Sequence, residues 1–242
     1  RKLLIKAFAG FIPAILGAVV VSFLFTVAAA LIVGENPLLS LINVALPIMG
    51  GGNGAGCIPM SRMWEEMTGN SADSWYAPAF AVMSIGNMFS VVSAALLDRL
   101  GKKYPNLTGN GVMMKGKNLT GAEDPKEIKI GIGEYASGFA LGLVPPEIRA
   151  GARGMQTFFT KYMSLPLMVT VGIGTDLAEL AGAFTVANVI MIAARVIGAM
   201  VGAVLIGSLF KFYPIEIAIT AGLDMAGGGG SGDVQILGAC HR

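Results

Sequence analysis

Charge is scarce in this chain. Asp, Glu, Lys and Arg make up 13% of its 242 residues, against about 25% in an ordinary soluble domain. That excludes a disordered chain and almost any soluble globule, and a net charge of +2 offers no basic face for nucleic acid. Histidine occurs once, as His241, with no metal cluster around it. Cysteine occurs twice, as Cys57 and Cys240, too few for a disulfide framework. No Ser/His/Asp constellation or paired acidic motif is present, which argues against an enzyme. There is no signal-peptide pattern, and a chain opening on Arg1 reads as part of something longer.

Apolar residues are abundant, at 54%, with 34 glycines. No charge interrupts the 28 residues from Ala7 to Gly34 or the 22 from Tyr76 to Leu97. About 20 apolar residues cross a bilayer as a helix, so the expectation is an all-α polytopic membrane protein. Lys and Arg concentrate in cytoplasmic loops. Arg1, Lys2 and Lys6 therefore place the start inside, and a helix near 8–33 runs outward. The stretch 61–75, with Arg62, Glu65, Glu66 and Asp73, reads as an outer loop. A helix near 76–98 returns, and 99–129, with seven Lys/Arg against three Asp/Glu, is a cytoplasmic linker.

Between the first two helices lies Pro37 to Met60, apolar and ending in Gly50-Gly51-Gly52-Asn53-Gly54-Ala55-Gly56. It is too hydrophobic for a free loop and too short to span, so re-entrant or interfacial placement is expected. Irregular backbone at that depth is tolerated only inside protein or along a wet cavity. The second half repeats the plan upside down. Residues 147–161 read as cytoplasmic, helices near 162–180 and 184–210 go out and back, and 212–223 leads into Ala226-Gly227-Gly228-Gly229-Gly230-Ser231-Gly232-Asp233. A shift of 176 or of 178 superposes the two glycine runs. The organisation is then 1–98 as part of a first inverted repeat, with a re-entrant loop at 38–60. The linker 99–129 follows, and 130–242 forms a second, incomplete repeat with a re-entrant loop at 214–240. Helices and glycine-rich loops repeated with opposite polarity mark secondary transporters and point to their binding site. One stretch does not fit. Residues 130–146 are flanked by two cytoplasmic loops yet cannot hold two helices. Either that segment lies in the interface, or a helical hairpin is missing between about Tyr135 and Leu143.

The paired runs carry chemistry suited to an anion. Glycines let backbone N–H groups approach a carboxylate closely, and successive N–H groups form anion-binding concavities. Asn53 and Ser231 add side-chain donors. Close helix packing is the plainer role for such glycines. Asp233, deep in the membrane, is a candidate ion ligand and equally a helix N-cap. Asp224, on the approach to the second loop, is a further ion-site candidate. Arg195 interrupts the uncharged run from Leu180 to Phe210. It fits either a snorkelling helix end or a positive charge near the substrate.

At these loops the chain resembles the 2-hydroxycarboxylate transporter family, and within it the sodium–citrate symporters. The resemblance rests on residues 49–56 and 229–233, on Arg1-Lys2-Leu3-Leu4-Ile5-Lys6-Ala7 and on Pro146-Glu147-Ile148-Arg149-Ala150-Gly151-Ala152. It continues through Phe212-Tyr213-Pro214-Ile215-Glu216 and Ile219-Thr220-Ala221-Gly222-Leu223. It implies a homodimer in the lipid of a bacterial inner membrane, carrying citrate or a related di- or tricarboxylate by alternating access. Sodium is the implied coupling ion, with no organic cofactor. The implied substrate contacts are Asn53, Gly54, Gly229, Gly230 and Ser231. The implied sodium site takes in Asp233, Ser231, Asp224, Met225 and Gly227. The resemblance further implies that the family's first helices and its final helix lie outside this sequence. The sodium–citrate symporters carry an arginine just before the second Gly-Gly, where this chain has Gly228. A proton-coupled malate/citrate symporter or a precursor–product exchanger is the alternative. An ion channel is a further one, although channel filters repeat the same carbonyls around one pore.

Overall fold

The computed structural model describes residues 2–49, 52–110, 112–115, 181–227 and 236. All belong to one compact unit built from residues 1–115 and 171–242. The expected elements at 130–146, 147–161 and 162–180 lie outside the described residues, as do 228–235.

Among the described residues, three helices are long and apolar enough to cross a membrane. They are α1 (Lys2–Val33), α4 (Ala72–Lys103) and α5 (Val186–Leu209), where the uncharged runs place them. Residues exposed on each recur every fourth position: Ile12, Leu16, Val20 and Leu24 on α1, Met88, Val92 and Leu96 on α4, Ile197, Val201 and Leu205 on α5. A four-residue spacing puts each set on one face of its helix. This is a multi-pass membrane protein.

The inward faces are lined by small residues. Ala14, Ala18, Ser22 and Thr26 are fully buried along α1. Facing them on α5 are Gly198 and Gly202, also four apart. A Cβ on Gly202 would lie 2.5 Å from the Gly17 carbonyl oxygen and 2.8 Å from Ala18 Cα. A Cβ on Gly198 would lie 2.9 Å from Ser22 Cα. Apolar side chains gain little by leaving lipid for protein, so close backbone approach through small residues is what holds such helices together. For these glycines, packing is the role observed.

Between the spans the chain is helical but broken. Asn36 caps α2 (Pro37–Ser40) by accepting hydrogen bonds from the N–H groups of Leu38 and Leu39. The arm widens into a π-helical turn, Leu41–Ala45. After the glycines it resumes as a second π turn, Gly52–Cys57, entered through Gly52 at φ +57°, a left-handed conformation that favours glycine. It runs on into α3 (Ile58–Thr68), which ends at Gly69 with φ +74°, a common glycine helix terminator. The stretch 61–75, expected to be an outer loop, is therefore mostly helix. Its charged residues Arg62, Glu65 and Glu66 are exposed, while Ser61 is buried. An amphipathic helix presents the same charge balance as a loop.

The second arm is built alike. Pro214 starts α6 (Pro214–Ile217), a π turn covers Ala218–Leu223, and α7 (Asp224–Ala226) leads to the glycine run. Ahead of it, Met114 and Phe212 form an isolated antiparallel bridge. Lys115 N–H donates to the Lys211 carbonyl at 2.8 Å, and Tyr213 N–H to that of Met113 at 2.9 Å. The chain leaving α4 is thus tied to the base of the second arm. The linker expected from 99 starts later, because α4 runs on to Lys103.

Candidate functional site

Both broken arms meet the same side chain. Arg195 lies well inside α5 and is fully buried. Its Nε donates to the Ala45 carbonyl at 3.1 Å, in the first arm's π turn. Its Nη1 donates to Ser22 Oγ on α1, and Nη2 lies 3.8 Å from Met225 Sδ in α7. The guanidinium carbon stands 5.0 Å from the centre of the Phe23 ring, within cation–π range. The snorkelling helix-end reading of Arg195 is therefore corrected. Its planar fork reaches three elements at once, as a lysine could not, and so stays in the interior.

The π turn beside Arg195 has a physical cause. A widened turn leaves carbonyls out of the regular ladder, and such turns recur at functional sites. Here the Ala45 carbonyl takes its donor from Arg195. Elsewhere on the arms, Ile48 packs on α4 where Gly86 leaves no room for a Cβ, which would fall 2.9 Å from Ile48 Cγ2. Ser90 of α4 donates to the Ala226 carbonyl at 3.3 Å. Both arms are thus held against α4, one at Gly86 and the other one turn on, at Ser90.

Asn53 sits in the π turn Gly52–Cys57, followed by Gly54. Its Oδ1 accepts a hydrogen bond from Tyr76 Oη at 3.0 Å. Beneath it Cys57, Trp75, Ala79, Phe80 and Met83 form a small apolar cluster, in which Cys57 Sγ lies 3.7 Å from Met83 Sδ. Cys57 is a buried packing residue.

On the second arm Asp224 is half-buried at the start of α7, Met225 is turned to Arg195, and Gly227 is buried. A Cβ on Gly227 would meet Ile236 Cδ1 at 2.3 Å and the Leu223 carbonyl oxygen at 2.9 Å, so a larger residue there would force a neighbour to shift. The expected contacts at Gly229, Gly230, Ser231 and Asp233, and the position of Gly228, lie outside the described residues. The structure brings Met225 to the first arm through Arg195, a link that sequence reading missed. The signal available was a lone charge in an apolar run.

A cavity of about 710 Å³ lies between the first arm and the adjoining ends of α3, α4 and α5. Asn43, Trp64, Asn70, Ser74, Trp75 and Asn188 are among its lining residues. Trp64 and Trp75 stack there with ring centres 6.5 Å apart. Among the described residues the wall offers amide and hydroxyl groups and no formal charge.

The chain matches the 2-hydroxycarboxylate transporter family over residues 1–143 and again over 139–242. The two matched stretches meet where 130–146 is too short for two helices. Citrate/sodium symporters of Salmonella typhimurium and Klebsiella pneumoniae are each 39% identical over 283 aligned residues. Those alignments cover all of this chain and 64% of each relative. A citrate/malate-proton symporter of Bacillus subtilis is 29% identical over 280, covering all of this chain and 62% of the relative. The chain thus spans a little under two thirds of the relatives it matches. Matched along its whole length, with its apolar spans and both arms in place, this chain belongs to the 2-hydroxycarboxylate transporter family.

Proposed function

We propose that the intact protein is a sodium-coupled symporter of citrate or a related 2-hydroxycarboxylate, working by alternating access as a homodimer in a bacterial inner membrane. The observation that carries this is 39% identity along the whole chain to proteins named citrate/sodium symporters, against 29% to a citrate/malate-proton symporter. Family membership and two broken arms leading into glycine runs support it, since discontinuous helices at corresponding places in two halves form transporter sites. In this reading the arms at 38–60 and 214–240 are re-entrant and enter from opposite faces. The halves 1–98 and 130–242 are inverted repeats joined by 99–129. The alignments run over about 40 positions more than the 242 residues of this chain. That is room for the hairpin of two spans that the topology asks for near 135–143.

The substrate's carboxylates are held by the N–H groups of Gly54, Gly229 and Gly230, the Asn53 amide and the Ser231 hydroxyl. Sodium takes oxygen from Asp233, Ser231 and Asp224 and from the carbonyls of Met225 and Gly227. Arg195 supplies fixed positive charge beside the arms, which lowers the cost of bringing a polyanion to mid-depth. The cavity lined by Asn43, Asn70 and Asn188 serves as an outer vestibule.

Proton-coupled citrate or malate transport is the second reading, favoured by the citrate/malate-proton relative. The test is uptake of labelled citrate and malate by proteoliposomes containing the full-length protein. Uptake should need an inward sodium gradient and favour citrate. Accumulation driven by a proton gradient without sodium would overturn the coupling.

A further inference from the structure

We propose that Tyr76 is a positioning residue that decides which end of the Asn53 amide faces the substrate. The inference rests on the transport reading above and deepens it. Tyr76 Oη lies 3.0 Å from Asn53 Oδ1. An amide carries an acceptor oxygen at one end and two donor hydrogens at the other, whereas an ionised carboxylate only accepts. An amide turned the wrong way would therefore set oxygen against oxygen at the anion. With the phenol donating to Oδ1, the oxygen is occupied and the NH₂ end is left for the carboxylate. The hydroxyl is tethered. The Tyr76 ring stacks on that of Phe80, one turn along α4, with centres 5.8 Å apart and planes 18° apart. Phe80 is buried in the cluster that also holds Cys57, at the far end of the same π turn as Asn53. Phenol and amide are thus fixed to one apolar footing. The two residues are 23 positions apart and belong to no common motif.

Tyr76→Phe in the full-length protein removes the hydroxyl and keeps the stack. In proteoliposomes under a fixed sodium gradient, it should raise the half-saturating citrate concentration about 3- to 10-fold, the effect of one lost hydrogen bond. The maximal rate and thermal midpoint should stay close to wild type, a split that mere loosening of the fold does not give. In an Asn53→Ala background the same change should add nothing, because coupled residues are non-additive. An unchanged half-saturating concentration in Tyr76→Phe would overturn the proposal. So would a full additional effect on top of Asn53→Ala, or a fall in maximal rate alone. Absence of citrate uptake by the wild-type protein would overturn the transport reading itself, and this inference with it.

Discussion

The carboxylate of Glu216 accepts a hydrogen bond from the hydroxyl of Thr108 at 2.6 Å, across 108 positions of chain. The adjacent N–H of Gly109 donates to the same oxygen at 2.9 Å, and both Thr108 and Glu216 are buried. With the bridge between Met114 and Phe212, this contact pins the base of the second arm to the chain leaving α4. Thr108→Val keeps the shape and removes the donor. Weakening the hold on a buried carboxylate costs about 1–3 kcal/mol. Thr108→Ser retains the hydroxyl and should retain most of the stability. The thermal midpoint of the purified full-length protein is the measurement. A Val midpoint at the wild-type value with Ser falling below it would mean that the methyl group, not the hydroxyl, matters.

Arg195 holds the first arm at Ala45 and α1 at Ser22 and rests against Met225 of the second. Arg195→Met should destabilise the protein by about 2–4 kcal/mol. It strands the Ala45 carbonyl without its donor and deprives Ser22 of another, losses of about 1–3 kcal/mol each for buried groups. Arg195→Lys keeps the charge but cannot satisfy both partners in a planar fork, and its midpoint should fall between the two. If fixed positive charge aids the anion, Lys should also transport better than Met at low citrate. Identical midpoints for wild type and Met would show that the contacts carry no net stability.

The α1–α5 seam predicts a contrast between two glycines. Gly202→Ala puts a Cβ against the backbone of Gly17 and Ala18. Backbone yields poorly, so overpacking by about 1–3 kcal/mol is expected. Gly182→Ala meets nothing within 4 Å and should be neutral. The same thermal assay compares them, and equal effects would argue against close packing as the role of Gly202.

Sequence reading found α1 and α4 because an uncharged run of more than 20 residues has one physical meaning in a chain this apolar, and α5 because a single arginine breaks an otherwise uncharged run. It also found the two arms, which are apolar but short and run into glycine. It mistook α3 for a loop, since Arg62, Glu65 and Glu66 cluster as loop charges do, and only the burial of Ser61 and the pairing of Trp64 with Trp75 show the packed face. The place of Arg195 was not legible. A single cation in an apolar helix fits a snorkelling end as well as a buried fork, and its acceptors lie 150 and 173 positions away. Tyr76 was hidden for the same reason. Its partner is set by how the first arm folds back on α4, which no local spacing encodes.

In the proposed reading, the coupling of ion to substrate turns on Asp233. It follows Gly229-Gly230-Ser231-Gly232, the run proposed to hold the anion, so its carboxylate and the substrate's are near neighbours in this reading. Two negative groups at that distance repel unless a cation lies between or beside them. In that reading sodium provides the cation, and each partner's binding would favour the other's by the same factor. Asp233→Asn keeps the size and the capacity to cap a helix while removing the charge. Folding should therefore be little changed, which the thermal midpoint checks. The sodium concentration for half-maximal citrate uptake should rise at least tenfold, and sodium should no longer lower the half-saturating citrate concentration. A mutant with normal stability and unchanged sodium dependence would make Asp233 a helix cap, and the ion would then have to be held by Asp224 and the carbonyls of the second arm.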